Sequence, residues 1–200
     1  MKPNKKRCHP IHRLSELAQE LLSARLSNGD HVMDATMGNG YDTAFLWHQV
    51  KPSGCVTAFD LQSEAVEATR RWLTEQGWTK NETTVQLVHD THRNFPQYIE
   101  KPLKAAMFNL GYLPGSDKKV ITQWPDLLLA LEALTDNYLL SGGMITIVSY
   151  PGHPGGEEEQ RCLMEYVGKL PPKTWAVTEI NRINSRNPAP RLLFIQKKDE

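Results

Sequence analysis

The chain predicts an α/β protein: a mostly parallel, doubly wound sheet of seven strands with the last strand reversed and helices on both faces. Three observations predict it. Apolar runs of strand length alternate with stretches in which apolar residues recur every three or four positions. The first such run, in HVMDATMGNG, passes through a glycine turn straight into a helix pattern, which is how a βαβ unit begins. The last two runs are joined by the short loop INSRNPAP with no helix in it, so they must pair antiparallel, because a parallel return needs a crossover.

Each element follows from its own signals. Leu14, Leu17, Ala18, Leu21, Leu22 and Leu26 keep a helix period between Ile11 and Leu26, and Asn28-Gly29 ends it. The strand HVMD leads to the helix YDTAFLWHQV, where Asp42 and Thr43 stand in the first turn and are expected to cap it. GCVTAFD reads as a strand, SEAVEATRRWLTEQG as a helix closed by Gly77, TTVQLVHD as a strand, and Pro96 to Glu100 as a short helical piece. LKAAMFNLG is the fourth strand. WPDLLLALEALTDNYL has the spacing of a long helix starting near Pro125, and GGMITIVSY is the strand after it. A helix over Glu157 to Gly168 and strands in TWAVTEINR and RLLFIQKK complete the alternation. With no repeat, low-complexity tract or linker, residues 1–200 read as one domain with an N-terminal helix.

Composition narrows the function classes. The 23 acidic and 23 basic residues cancel, which argues against binding nucleic acid through an overwhelming positive field. Lys2, Lys5, Lys6, Arg7 and Arg13 still make the N-terminus locally basic. No apolar run is long enough to span a bilayer, and the N-terminus lacks a signal-peptide core, so a cytoplasmic protein is expected. Cysteines 8, 55 and 162 form no CxxC pair and no histidine cluster accompanies them, so neither a disulfide framework nor a metal site is expected.

In a doubly wound sheet, ligands lie beyond the carboxyl ends of the strands where strand order reverses, and DATMGNG lies there. It is not GxGxxG. Three successive strand ends nevertheless carry acids: Asp34, Asp60 and Asp90. Asp60 can accept both hydroxyls of an adenosine ribose, and Asp90 can approach an adenine. A pyrophosphate prefers a glycine loop without acids nearby, whereas S-adenosylmethionine carries an ammonium and a sulfonium that want carboxylates, and Asp34 and Asp42 flank this loop. The cofactor set so read is Asp34, Met37, Gly38, Asn39, Gly40, Asp42 and Thr43 at the first turn, Asp60 and Gln62 after the second strand, and Asp90 and Thr91 after the third.

FNLGYLPGSDK, after the fourth strand, places Asn109, Gly111, Tyr112 and Pro114 together and has the character of the N-P-P-Y motif of nitrogen-directed methyltransferases, with Leu110-Gly111 where that motif has two prolines. With DATMGNGYDT, SYPGHPGGEEE and NRINSRNPAPRLLFIQKK, in that order, it makes most of the chain resemble the YtqB-like family of class I, Rossmann-like methyltransferases. That resemblance implies S-adenosylmethionine as cofactor, the tRNA anticodon stem-loop as partner, and conversion of the 5-aminomethyl group of (2-thio)uridine at the wobble position to 5-methylaminomethyl. The carbonyls of Asn109 and Leu110 can then orient the acceptor nitrogen, and Tyr112 can stack on the target base. His153 is a candidate proton acceptor, and Tyr112, Gly115, Lys118, His153, Arg186 and Arg191 form the candidate substrate rim. The resemblance and the tryptophan-bearing helices also admit a homodimer. A methyltransferase for rRNA or a small molecule, an NAD-binding oxidoreductase and a non-catalytic RNA-binding module stay open as alternatives.

Overall fold

The computed structural model describes residues 13–79, 84–110, 124–152, 155–185 and 189–199. Along the chain these form α1 (Leu14–Ser23), β1 (His31–Asp34), α2 (Tyr41–Val50), β2 (Cys55–Asp60), α3 (Ser63–Glu75), β3 (Val85–His89), a 3₁₀ helix (His92–Gln97), β4 (Leu103–Asn109), α4 (Trp124–Ala133), a π turn (Leu134–Tyr138), β5 (Leu139–Ser149), α5 (Gly156–Val167), β6 (Trp175–Ile180) and β7 (Arg191–Lys197). The strands make one sheet in the order β3-β2-β1-β4-β5-β7-β6. The five from β3 to β5 pair in parallel, and β7 lies between β5 and β6, antiparallel to both. The expected sheet with its reversed last strand is therefore present.

Strand side chains alternate between two faces, and each face has its own core. Met33, Phe59, Phe108, Ile145, Ile147, Leu193 and Ile195 pack with Leu127 and Leu131 of α4 and Leu163 of α5. Val32, Val56, Ala105, Met107, Met144, Val148 and Leu192 pack with Leu22 of α1, Leu46 and Trp47 of α2, and Leu73 of α3. The neighbours Val32 and Met33, or Met107 and Phe108, thus serve opposite layers. This buries the central strands on both sides, so their near-continuous apolar runs follow directly.

Among the boundaries that differ from expectation, three have a clear local reason. The short helix after β3 begins at His92 rather than near Pro96, because the Thr91 hydroxyl accepts from the Arg93 amide at 3.4 Å and caps it earlier. The long helix from Trp124 stops at Ala133 and unwinds through the π turn. β5 consequently starts at Leu139, ahead of the glycine pair: Leu139 pairs with Leu103, and the register shifts before Ala105 meets Met144. Gly142 sits at φ +66 within that irregularity, a conformation that a side chain would strain. Among the described residues, no helix is long and apolar enough to cross a membrane.

Candidate active site

The sheet order reverses between β1 and β4, and the carboxyl ends of these neighbours hold Asp34 and Asn109. The loop after β1 is stitched to the strands on either side. Ala35 donates its amide to the Met107 carbonyl of β4 at 2.8 Å, and Met37 donates to the Phe59 carbonyl of β2 at 2.9 Å. The Met37 side chain is buried against Ala58 and Val66, so only its backbone lines the turn. The Gly38 amide donates to Asp60 Oδ2 at 3.0 Å, and the Gly38 carbonyl accepts from the Thr69 hydroxyl at 3.1 Å. Gly40 is required twice over: its φ is +83, and a Cβ there would lie 2.8 Å from the Thr69 Cα of α3. Asn39, between the two glycines, is half-buried.

Around this turn the structure gathers acids. Asp34, buried at the end of β1, accepts from the Thr43 hydroxyl at 2.5 Å and from the Thr36 amide at 3.1 Å. Burial first, and then the neighbouring Asp42 charge, push its carboxyl up to about 7. Asp42 is 7% exposed and does not cap α2, contrary to expectation, and Thr43 does not either: no side chain caps that helix, whose N-cap is Gly40. Asp42 instead accepts from Gln19 Nε2 at 2.6 Å and from Asn109 Nδ2 at 3.5 Å, and burial raises its carboxyl too. The reason is that α1 and β4 enclose the first turn of α2, so side chains there meet protein instead of looping back to the backbone. Asp60 bridges the loops after β1 and β2, accepting from the Gly38 amide on Oδ2 and from the Gln62 amide on Oδ1, both at 3.0 Å; burial also raises it. Among the described residues, no Lys or Arg forms an ion pair with Asp34, Asp42 or Asp60.

Buried carboxylates without a cation are costly unless protonated or met by a positive ligand. This pocket therefore fits a cationic group, as the ammonium and sulfonium of S-adenosylmethionine would supply.

Asn109 closes β4 with its amide donating to the Thr36 hydroxyl at 2.7 Å, which fastens the two strand ends together. The Leu110 amide donates to the Val148 carbonyl at 2.8 Å, and its side chain is buried in the core, leaving its carbonyl as the group available for the expected role. Asp90, after β3, accepts from Asn94 Nδ2 on both oxygens at 3.1 Å, from the Tyr98 hydroxyl at 2.9 Å and from the Thr91 amide at 2.7 Å. The Thr91 hydroxyl, besides capping the 3₁₀ helix, donates to Asp126 of α4 at 2.8 Å. Arg191 pairs with Glu179 at 2.7 Å on the neighbouring strand. Tyr112, Gly115, Lys118, His153 and Arg186 lie outside the described residues. No group of three or more His, Cys, Asp or Glu among the described residues is placed to hold a metal ion.

Sequence reasoning missed four participants. Gln19 reaches Asp42 across 23 residues of sequence, and Thr36 reaches Asn109 across 73, with no local pattern to announce either. Leu61, 48% exposed between Asp60 and Gln62, is an apolar side chain left open at the carboxyl end of β2. Tyr150, half-buried after β5, has its phenol raised by burial and by the Asp42 charge. The signal available for the last two was position alone: each stands just past a strand whose end lines the site.

A doubly wound sheet with a reversed seventh strand, a glycine turn over a buried acid pocket at the strand switch, and an asparagine closing the fourth strand together define a class I, S-adenosylmethionine-dependent methyltransferase. Residues 56–196 match the model of the family described as "Putative rRNA methylase", and the chain belongs to that family. It is similar to the tRNA (mnm(5)s(2)U34)-methyltransferase, chloroplastic, of Arabidopsis thaliana, 35% identical over 192 residues that cover 92% of this chain and 69% of that protein. A crystal structure described as a "putative rRNA-methylase" from Clostridium thermocellum superposes with a TM-score of 0.88 at 36% identity, covering 94% of this chain and 100% of that one. A protein of Streptococcus mutans described as a "putative methyltransferase", crystallised with S-adenosylhomocysteine, gives 0.82 at 36% identity, covering 94% and 99%.

Proposed function

We propose that this methyltransferase transfers a methyl group to the nitrogen of the 5-aminomethyl group on (2-thio)uridine at the tRNA wobble position, giving 5-methylaminomethyl. The observation that carries the reading is Asn109: it stands at the end of β4, its backbone tied to the turn after β1 through Thr36, and its side-chain amide reaches Asp42 of the acid pocket at 3.5 Å. The name of the Arabidopsis relative supports the same substrate. Its cofactor supplies an electrophilic methyl on sulfur. In this reading the Asn109 side-chain oxygen and the Leu110 carbonyl accept N–H from the free amine and aim its lone pair, so the protein contributes mainly by positioning. The new N–C bond forms as the C–S bond breaks, and the resulting secondary ammonium then loses a proton. His153 is the proposed acceptor of the proton that an aliphatic ammonium must lose beforehand.

In the same reading Asp60 and Gln62 face the ribose, Asp90 and Leu61 the adenine, the Gly38-Asn39-Gly40 turn the amino-acid end, and Asp34 its positive charge. Tyr112, Gly115, Lys118, Arg186 and Arg191 are proposed for the anticodon stem-loop side, and the enzyme works in whichever compartment holds that tRNA, the cytoplasm being the expected one. Light scattering would tell a homodimer from a monomer. The deciding experiment is mass analysis of nucleosides from tRNA incubated with enzyme and labelled cofactor. Label on the aminomethyl nitrogen is expected; label on a ring carbon, or equal labelling of tRNA with unsubstituted uridine at that position, would contradict the assignment.

A further inference from the structure

The N-terminal helix is wired to the side chain that handles the acceptor. Gln19 of α1 donates from Nε2 to Asp42 Oδ1 at 2.6 Å, and Asp42 Oδ2 accepts from Asn109 Nδ2 at 3.5 Å. Three elements remote in sequence thus meet on one buried carboxylate. The chemistry of the amide makes this chain directional. A carboxylate accepts only, so an asparagine beside it must present its NH₂, and the Asn109 oxygen is thereby turned to the opposite side of the side chain. The Asp42–Asn109 contact is long, so its control of the amide depends on the carboxylate being held still. Gln19 provides that restraint from the far side, and it is the shortest hydrogen bond Asp42 makes.

We propose that Gln19 is a positioning residue for methyl transfer: acting through Asp42, it fixes Asn109 with its side-chain oxygen directed at the acceptor nitrogen. The inference rests on the reading of Asn109 as the amine-orienting group. It makes α1 a working part of the active site rather than a cover on the sheet.

The test is a thermodynamic cycle on the full chain. Single-turnover methyl transfer to tRNA bearing the aminomethyl group, and cofactor affinity by calorimetry, are measured for wild type, Gln19→Ala, Gln19→Met, Asn109→Ala and the double variant Gln19→Ala/Asn109→Ala. Gln19→Ala should slow the transfer step about tenfold while cofactor affinity and the KM for tRNA stay within about twofold, because the interaction matters in the transition state. In the Asn109→Ala background the same change should cost less than about twofold, since both residues act through one amide. Gln19→Met keeps the packing and length of the side chain without the donor, and should behave like Gln19→Ala even if the alanine variant folds poorly. A full transfer rate in Gln19→Met, an equal loss in both backgrounds, or a loss confined to cofactor affinity would overturn the inference. A slow Asn109→Ala beside a fast Gln19→Ala defeats this inference alone, whereas a fast Asn109→Ala defeats the reading of the site on which it rests.

Discussion

Asp34 and Asp90 hold equivalent places, each the acid at the carboxyl end of a parallel strand, β1 inside the sheet and β3 at its edge, and their environments push them in opposite directions. Asp34 is buried beside Asp42 and receives two hydrogen bonds, too few to offset desolvation, so its carboxyl rises to about 7. Desolvation also acts on Asp90, but hydrogen bonds from Asn94, Tyr98 and the Thr91 amide outweigh it and hold the carboxyl below its usual range. One acid waits for a positive partner, and the other is already satisfied by its own chain. Position at a strand end therefore does not fix a carboxylate's task; the donors around it do.

The largest effect should come from removing the unsatisfied charge. Asp34→Asn is expected to weaken S-adenosylmethionine by about 3 kcal/mol in a calorimetric titration, the scale for one partner of a buried charge pair. The same variant should leave the ligand-free protein as stable as wild type or more so at alkaline pH, since a buried like-charge contact with Asp42 is relieved. A drop in both would place Asp34 among ordinary structural residues. Next comes Asp60→Ala, expected to cost ~1.5 to 3 kcal/mol of cofactor affinity, the worth of hydrogen bonds to a charged group. An unchanged titration would contradict the proposed placement of Asp60 against the ribose. Asp90→Asn is the smallest: it should lower stability by about 1 kcal/mol in chemical unfolding through its lost hydrogen bonds, with a lesser effect on cofactor binding.

The two acids also predict opposite pH signatures. Asp34 has a raised folded-state value, so its contribution to stability is complete below the unfolded carboxylate range near 4 and is lost as pH rises through about 7. Asp90 has a depressed value, so its contribution is present above the unfolded range and is lost as pH falls through the lower folded value. The melting temperature of the ligand-free protein should therefore fall by a few degrees between about pH 5 and about pH 8, and Asp34→Asn should flatten that slope. A slope unchanged in the variant would assign it to other groups.

Much of this was legible in the sequence, because the strand and helix periods are set by which faces meet the two cores. Val32/Met33 and Met107/Phe108 alternate as buried strands must, and INSRNPAP is too short for a crossover, so the reversed β7 followed. The acids were legible as strand-end residues, and Asn109 through its motif. What the sequence hid was tertiary. Asp42 after a glycine turn looks like a helix cap whether or not a second helix closes over it, and only the placement of α1 turns it toward Gln19 and Asn109. The early start of β5 was hidden likewise, since the π turn at Leu134–Tyr138 continues a helical apolar pattern until pairing with Leu103 overrides it.

The most direct test of the cation pocket is a calorimetric titration of S-adenosylmethionine repeated between about pH 6 and about pH 7.5 in buffers of different ionisation enthalpy. A positive ligand should drive the proton off Asp34, so affinity should fall by up to tenfold per pH unit below about 7, with up to one proton released on binding at the acidic end. Both effects should vanish in Asp34→Asn. Affinity that stays flat across the range, with heats independent of buffer, would contradict the account.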